Sequence, residues 1–228
     1  MSVHYYEGVV ALCHLCSELQ LKAQLLEHFD RNNYAKLATC FEDILQKDPT
    51  CEYSLGRLVC LYQKGDYSTE KLVEKIASNL DATCAKCNIW REFASLLLKL
   101  SQIEGDCVSV CADDDDGPKQ QPSEFVSSRV PEIFIAPGSG ESWRLRCRWW
   151  LTRHFSKSIL VSDIASGDLE LLTYKAAASC HLYGREFGYV VQVSEFLKNT
   201  NNTDMLFILN RHVHNSAGFY LNLDRKML

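Results

Sequence analysis

The chain has 228 residues, a formal net charge of −5 at pH 7, and 46% apolar and 11% aromatic residues. This composition is typical of a globular protein with a sizeable core, and it excludes a disordered chain and a general polyanion binder. No apolar run approaches the roughly 18 residues of a membrane span, and no secretory signal is recognised, so we expect no membrane contact.

Amphipathic helices are predicted from the N-terminus onward, and the sequence shows no alternating strand pattern of useful length. The first helix is predicted over Val3–Phe29, where apolar residues recur at steps of three and four. A second should stop near Asp48-Pro49, because proline disfavours helical backbone in the residue before it. A third should end at Lys64-Gly65, and the Ser68 hydroxyl should cap a fourth.

A fifth helix is predicted to open its apolar face at Trp90 and to end before Gly105. Tyr34 and Ser68 begin corresponding helix pairs about one tetratricopeptide period apart, although the side-chain signature of that repeat does not recur. We therefore predict an all-α fold of TPR-like helical hairpin repeats, an α-solenoid, over residues 1–103. Such pairs stack on their neighbours and form concave surfaces for partner proteins.

Residues 104–142 differ in character from the predicted helices. They contain the run Asp113–Asp116, followed by Pro118 and Pro122, and few residues that can pack. An aspartate cluster can bind a cation, but runs of like charge usually repel and stay solvated. The segment is predicted to be an acidic, flexible, disordered insertion that links two helical regions.

The last predicted region, residues 143–228, resumes the helical pattern. Helices are predicted over 143–157, 169–183, 187–197 and 205–220. His212 and His214 are predicted to lie on the outer face of the last helix. Alternate residues point to opposite sides of a helix, so these two histidines are not expected to share a metal ion.

Eleven cysteines raise the question of metal or redox chemistry. Cys13-x-x-Cys16 and Cys84-x-x-Cys87 could together supply four thiolates to zinc, but 67 residues separate the pairs, far more than in usual zinc modules. No strand precedes either pair as in a thioredoxin-like unit, so reduced, mostly buried thiols are the favoured interpretation. No nucleophile elbow or phosphate-binding loop is present. The sequence predicts no enzyme, no metal and no cofactor.

The segment Trp143–Lys157 is unusual in carrying four arginines, one lysine, three tryptophans and no acidic residue. Arginine with tryptophan can bind phosphate and stack on bases, and the same pair forms hot spots in protein interfaces. Helical spacing also allows one face to be core, with arginine stems packed along it. All three interpretations stay open on residue types alone. The candidate interaction residues are Trp143, Arg146, Arg148, Trp149, Trp150, Arg153, His154 and Phe155.

The stretch SWRLRCRWWLTRHFS, residues 142–156, resembles the signature of one protein family, the A subunits of the TBP-associated factors of RNA polymerase I. In that signature a Trp is followed by an Arg, a Trp-Trp pair and His-Phe-Ser, here Trp143, Arg146, Trp149-Trp150 and His154-Phe155-Ser156. The flanking segments ILQKDPTCEYSLGRLVCLYQK, CNIWREFASLLLKL and DLELLTYKAAASCHLYGREFGYV are similar in order, so the resemblance covers about residues 34–220.

The resemblance implies a non-catalytic scaffold subunit of the promoter-selectivity factor, located in the nucleus and nucleolus. Its partners would be the TATA-box-binding protein (TBP), the other TBP-associated factors and the RNA polymerase I machinery, with promoter DNA inside the complex. The chain lacks the family's longer N-terminal half, which indicates a truncated or divergent short form. The alternatives are a generic TPR-like adaptor and a helical nucleic-acid-binding module that uses residues 143–157.

Overall fold

A computed structural model of the chain describes residues 18–30, 33–106 and 130–220. Within these ranges every regular element is helical and no strand occurs, which confirms the all-α prediction. None of the helices described is both long and apolar enough to cross a membrane. The chain divides into two compact units, Met1–Ala85 and Lys86–Leu228.

The first unit contains four described helices, which are α1 over 18–29, α2 Tyr34–Lys47, α3 Glu52–Gln63 and α4 Thr69–Ala82. Helix α3 packs against both α2 and α4, and the three helices bury an aliphatic core that also contains Phe41. The predicted Ser68 cap is present, since its side chain accepts a hydrogen bond from the Lys71 amide. The Asn33 side chain accepts from the Lys36 amide in the same way, a cap that was not predicted. Of the long first helix that was predicted, residues 3–17 lie outside the described ranges.

The second unit contains α5 Cys87–Asp106, α6 Glu132–Ile135, α7 Ser139–Arg153, α8 Lys157–Ser166, α9 Leu169–Tyr183, α10 Gly188–Asn199 and α11 Thr203–His214. Helix α9 lies at its centre and packs against α5, α8, α10 and α11. The small side chains Ala176, Ala177 and Ala178 are fully buried there, so neighbouring helices approach α9 on several sides. A helix surrounded in this way has little amphipathic contrast.

Several helix boundaries differ from the prediction. Helix α5 was expected to end before Gly105 and continues to Asp106. The helix predicted over 143–157 begins four residues earlier and ends at Arg153, because the Ser156 side chain accepts from the Ile159 amide and starts α8. Helix α11 ends at His214 instead of 220, and Gly218, at φ 60°, then turns the chain. Helices α6 and α8 were not predicted.

The tetratricopeptide-like stacking and the domain boundaries at 103 and 142 stay predictions. Residue 103 lies inside α5, within the second compact unit. Of the predicted acidic linker, the structure describes 104–106, where α5 ends, and 130–142, which holds α6 and the first residues of α7. The aspartate run Asp113–Asp116 lies outside the described residues.

Candidate interaction surface on the tryptophan- and arginine-rich helix

A close backbone contact positions the start of α7. A Cβ atom on Gly140 would lie 2.7 Å from the Phe134 carbonyl oxygen, so only glycine fits without a shift of α6 or α7. The Ser139 hydroxyl donates to the Ile133 carbonyl oxygen at 2.6 Å, which joins the two helices at the same point. The tight turn brings the Phe134 ring to 4.7 Å from the Trp143 ring.

One face of α7 belongs to the hydrophobic core. Trp143 and Trp150 are fully buried and about two helical turns apart, with ring centroids 6.1 Å from each other. Trp150 also contacts the rings of Trp90 at 6.5 Å and Phe93 at 5.7 Å on α5. Edge-to-face pairs of this kind stabilise a core beyond the area that they bury. The aromatic core of the second unit consists of Trp90, Phe93, Phe134, Trp143, Trp150, His154, Phe155, Tyr183, Tyr189 and Phe219.

The end of α7 joins the same core. His154 and Phe155 are buried, and the His154 ring lies 5.3 Å from the Trp90 ring. The Tyr183 hydroxyl on α9 donates to the Cys147 carbonyl oxygen at 2.7 Å. Burial raises the pKa of that phenol, so it stays a neutral donor and fixes α7 to α9.

The opposite face of α7 is exposed and carries apolar and cationic side chains together. Leu145 is 67% exposed and Trp149 is 46% exposed, and Arg148 beside them is also exposed. The Arg153 guanidinium carbon lies 4.9 Å from the centre of the Trp149 ring, a cation–π contact. We call these four residues, Leu145, Arg148, Trp149 and Arg153, the α7 outer face.

The eight candidate interaction residues therefore divide by depth. Four are buried and cannot touch a partner directly without a change of fold, namely Trp143, Trp150, His154 and Phe155. The other four reach solvent, namely Arg146, Arg148, Trp149 and Arg153. Leu145 was missed, although its position four residues before Trp149 places both on one helical face.

A buried ion pair stands beside the aromatic core. The Lys175 ammonium on α9 pairs with the Asp163 carboxylate on α8, and both side chains are at most 15% exposed. The Tyr189 hydroxyl on α10 donates to the same carboxylate at 2.7 Å, and the ammonium lies 5.9 Å from the Trp90 ring. The three groups satisfy one another and join α8, α9 and α10, so we assign them to structure and not to chemistry.

The prediction of a surface position is wrong for His212 and holds for the exposed His214. His212 is 5% exposed, and its Nδ1 lies 3.1 Å from Nε2 of the buried His181 on α9. Burial lowers the pKa of His181 to about 3 and that of His212 to about 4, with smaller contributions from His212 and Arg211 respectively. Both rings are neutral, and the contact joins α11 to α9, which periodicity could not show.

The cysteine pairs give no metal centre among the residues that the structure describes, where no cluster of three or more ligands occurs. Cys84 is exposed and Cys87 is half-buried, while Cys13 and Cys16 lie outside the described ranges. Burial and the nearby Glu170 carboxylate raise the pKa of the Cys87 thiol, which disfavours the thiolate that zinc would require.

Comparison with known proteins identifies a family for the chain. A family model for the A subunit of the RNA polymerase I TAF complex matches residues 6–195, which include both cysteine pairs and the whole of α5 to α9. No curated protein and no solved structure gives a significant match. Because the matched residues make up most of the chain, it belongs to the family of TBP-associated-factor (TAF) A subunits of RNA polymerase I.

Proposed function

We propose that the chain is a non-catalytic scaffold subunit of the RNA polymerase I promoter-selectivity factor. In this role it binds TBP and the sister subunits and helps to place the polymerase at ribosomal DNA promoters in the nucleolus. The observation that carries the proposal is the family match over residues 6–195. Family membership indicates a transcription factor of the polymerase I TAF complex, and the finer role is our inference.

The architecture of the second unit supports a scaffold. Its buried polar groups, the pair Lys175 and Asp163 and the pair His181 and His212, contact one another and hold helices together. Its unusual residues at the surface are an indole and guanidinium groups on α7, the side chains that dominate protein interfaces. Neither feature forms a pocket in which a substrate could react.

Co-purification tests the proposal directly. The tagged full chain is expressed in cells, purified from nuclear extract, and probed for TBP and for the sister subunits of the factor. We expect both to be recovered and the tagged chain to concentrate in the nucleolus. A chain that stays outside the nucleus and recovers neither would instead support the generic TPR-like adaptor.

A nucleic-acid-binding module is the second candidate, and the cations of α7 favour it. The residues that would contact phosphates are Arg144, Arg146, Arg148, Arg153 and Lys157. Binding to ribosomal DNA should then fall steeply with salt, and each cation removed should lower the salt slope by about one. Absence of binding at low salt excludes this candidate and leaves the scaffold role intact.

A further inference from the structure

We infer that the α7 outer face binds an acidic segment of a partner protein, in which an apolar anchor residue is flanked by carboxylates. The inference rests on the proposed scaffold function and deepens it by naming the chemistry of one partner.

The apolar part of the face is a pair of adjacent side chains. Leu145 and Trp149 are four residues apart on α7, so they lie side by side, and they are 67% and 46% exposed. Scattered single apolar residues are normal on a surface, but an adjacent leucine and indole form one continuous patch. Covering such a patch is favourable for an aliphatic or aromatic side chain of a partner.

The charged part of the face has no counter-charge within the described residues. No carboxylate there lies within 4 Å of the guanidinium nitrogens of Arg148 or Arg153. Guanidinium groups pair with carboxylates in a two-pronged geometry that ammonium groups cannot match. A carboxylate beside each arginine would therefore complete this surface.

The arrangement favours a protein segment over nucleic acid. A nucleic-acid platform needs a free aromatic face for base stacking, and the Arg153 guanidinium already covers one face of Trp149 at 4.9 Å. Leu145, the most exposed residue of the patch, has nothing apolar to contact on a phosphate backbone.

The face is held in place before any partner arrives. Trp143 and Trp150 fix the opposite side of α7 in the aromatic core, and the Tyr183 hydroxyl anchors its backbone at Cys147. The cation–π contact holds Arg153 against Trp149. Side chains that are already ordered lose less conformational entropy on binding, so a small face can bind measurably.

The test uses the purified full chain and a synthetic helical peptide of about 16 residues, with leucines four apart and glutamates on either side. Trp149 supplies the signal, because the other three tryptophans are buried and it alone is exposed to solvent quenchers. We expect the peptide to shift Trp149 emission to shorter wavelength and to protect it from iodide. Phe207→Ala, at a 73% exposed aromatic residue of α11, is the matched control.

Three comparisons decide the outcome. Measured with a label on the peptide, Trp149→Ala should weaken binding about tenfold or more, and Arg148→Glu several-fold, while Phe207→Ala leaves it unchanged. A peptide with glutamine in place of glutamate should bind several-fold more weakly, and one with alanine in place of leucine should also lose affinity. Circular dichroism verifies that each variant is folded.

If Trp149→Ala and the unaltered chain bind the glutamate peptide with equal affinity, the inference is overturned. A second result also overturns it. This is displacement of the peptide by a DNA duplex of about 16 base pairs, together with equal binding of the glutamate and glutamine peptides. Recovery of TBP without peptide binding would refute this inference and leave the scaffold role standing. Peptide binding through Trp149 without recovery of TBP or its sister subunits would refute the scaffold role alone.

Discussion

Neighbouring tryptophans on α7 should respond very differently to truncation. Trp150 is fully buried and contacts the rings of Trp90, Phe93 and Trp143, so Trp150→Ala removes the centre of the aromatic core. Large-to-small changes of buried tryptophan cost about 3–5 kcal/mol of unfolding free energy, since they lose both transfer energy and packing. Trp149 is 46% exposed, so its truncation loses a surface cation–π contact of about 0.5–1 kcal/mol and only part of the burial that Trp150 loses.

Urea unfolding and thermal unfolding of the full chain, each followed by near-ultraviolet circular dichroism, measure both losses. For a chain of this size each kcal/mol corresponds to about 2–4 °C, so Trp150→Ala should lower Tm by about 6–20 °C and Trp149→Ala by only a few degrees. Each variant is the control of the other for helix propensity, because both replace a tryptophan by alanine in the same helix. Similar losses for the two variants would refute the orientation of α7 derived above.

The remaining predictions concern the packing of the same unit. Gly140→Ala should cost about 1–3 kcal/mol in urea unfolding, because its Cβ would meet the backbone of α6, whereas Gly188→Ala, which meets nothing within 4 Å, should be neutral or slightly stabilising. Burial lowers the pKa of His181 and His212, so the unfolded chain binds more protons below about pH 6.5. The free energy of unfolding should therefore be highest above that pH and fall by about 2 kcal/mol per histidine between pH 7 and 5. A free energy of unfolding that does not change over this pH range would contradict the prediction.

Local signals in the sequence were sufficient for most of the helical elements. Proline after Asp48, the Ser68 hydroxyl and Gly184 each act within a few residues, and the helices end or begin there as predicted. These devices depend on backbone hydrogen bonds between near neighbours, which is why a single sequence reveals them. The solenoid arrangement depends on contacts between distant helices, so it is not determined in this way.

The missed helix α8 shows where periodicity is insufficient. Among its ten residues only Leu160 is buried, while Val161 is 60% exposed, so the apolar residues do not mark one face. The Ser156 cap was the available signal, and a three-residue break after Arg153 separates α8 from α7. A longer helix, to Lys157, was predicted because Trp143, Trp150 and the arginines at 146 and 153 follow helical spacing and no breaking residue stands at the end of α7.

The buried pairs could not be predicted because their partners are far apart in sequence. His181 and His212 are 31 residues apart, and each is a polar residue that ordinarily lies near the surface. Lys175 is buried because Asp163, twelve residues earlier, supplies the opposite charge. Only the packing of α8 and α11 against α9 brings these groups together.

The division of α7 into a core face and an outer face changes how its variants must be interpreted. Loss of partner binding after truncation of Trp143 or Trp150 is expected from unfolding alone, so it would give no evidence for an interface. Loss after truncation of Trp149, with stability nearly unchanged, would identify a contact, since that indole supports little of the core. The Trp-Trp pair thus contains both a folding determinant and a candidate binding residue, and only the separate measurement of stability and affinity distinguishes them.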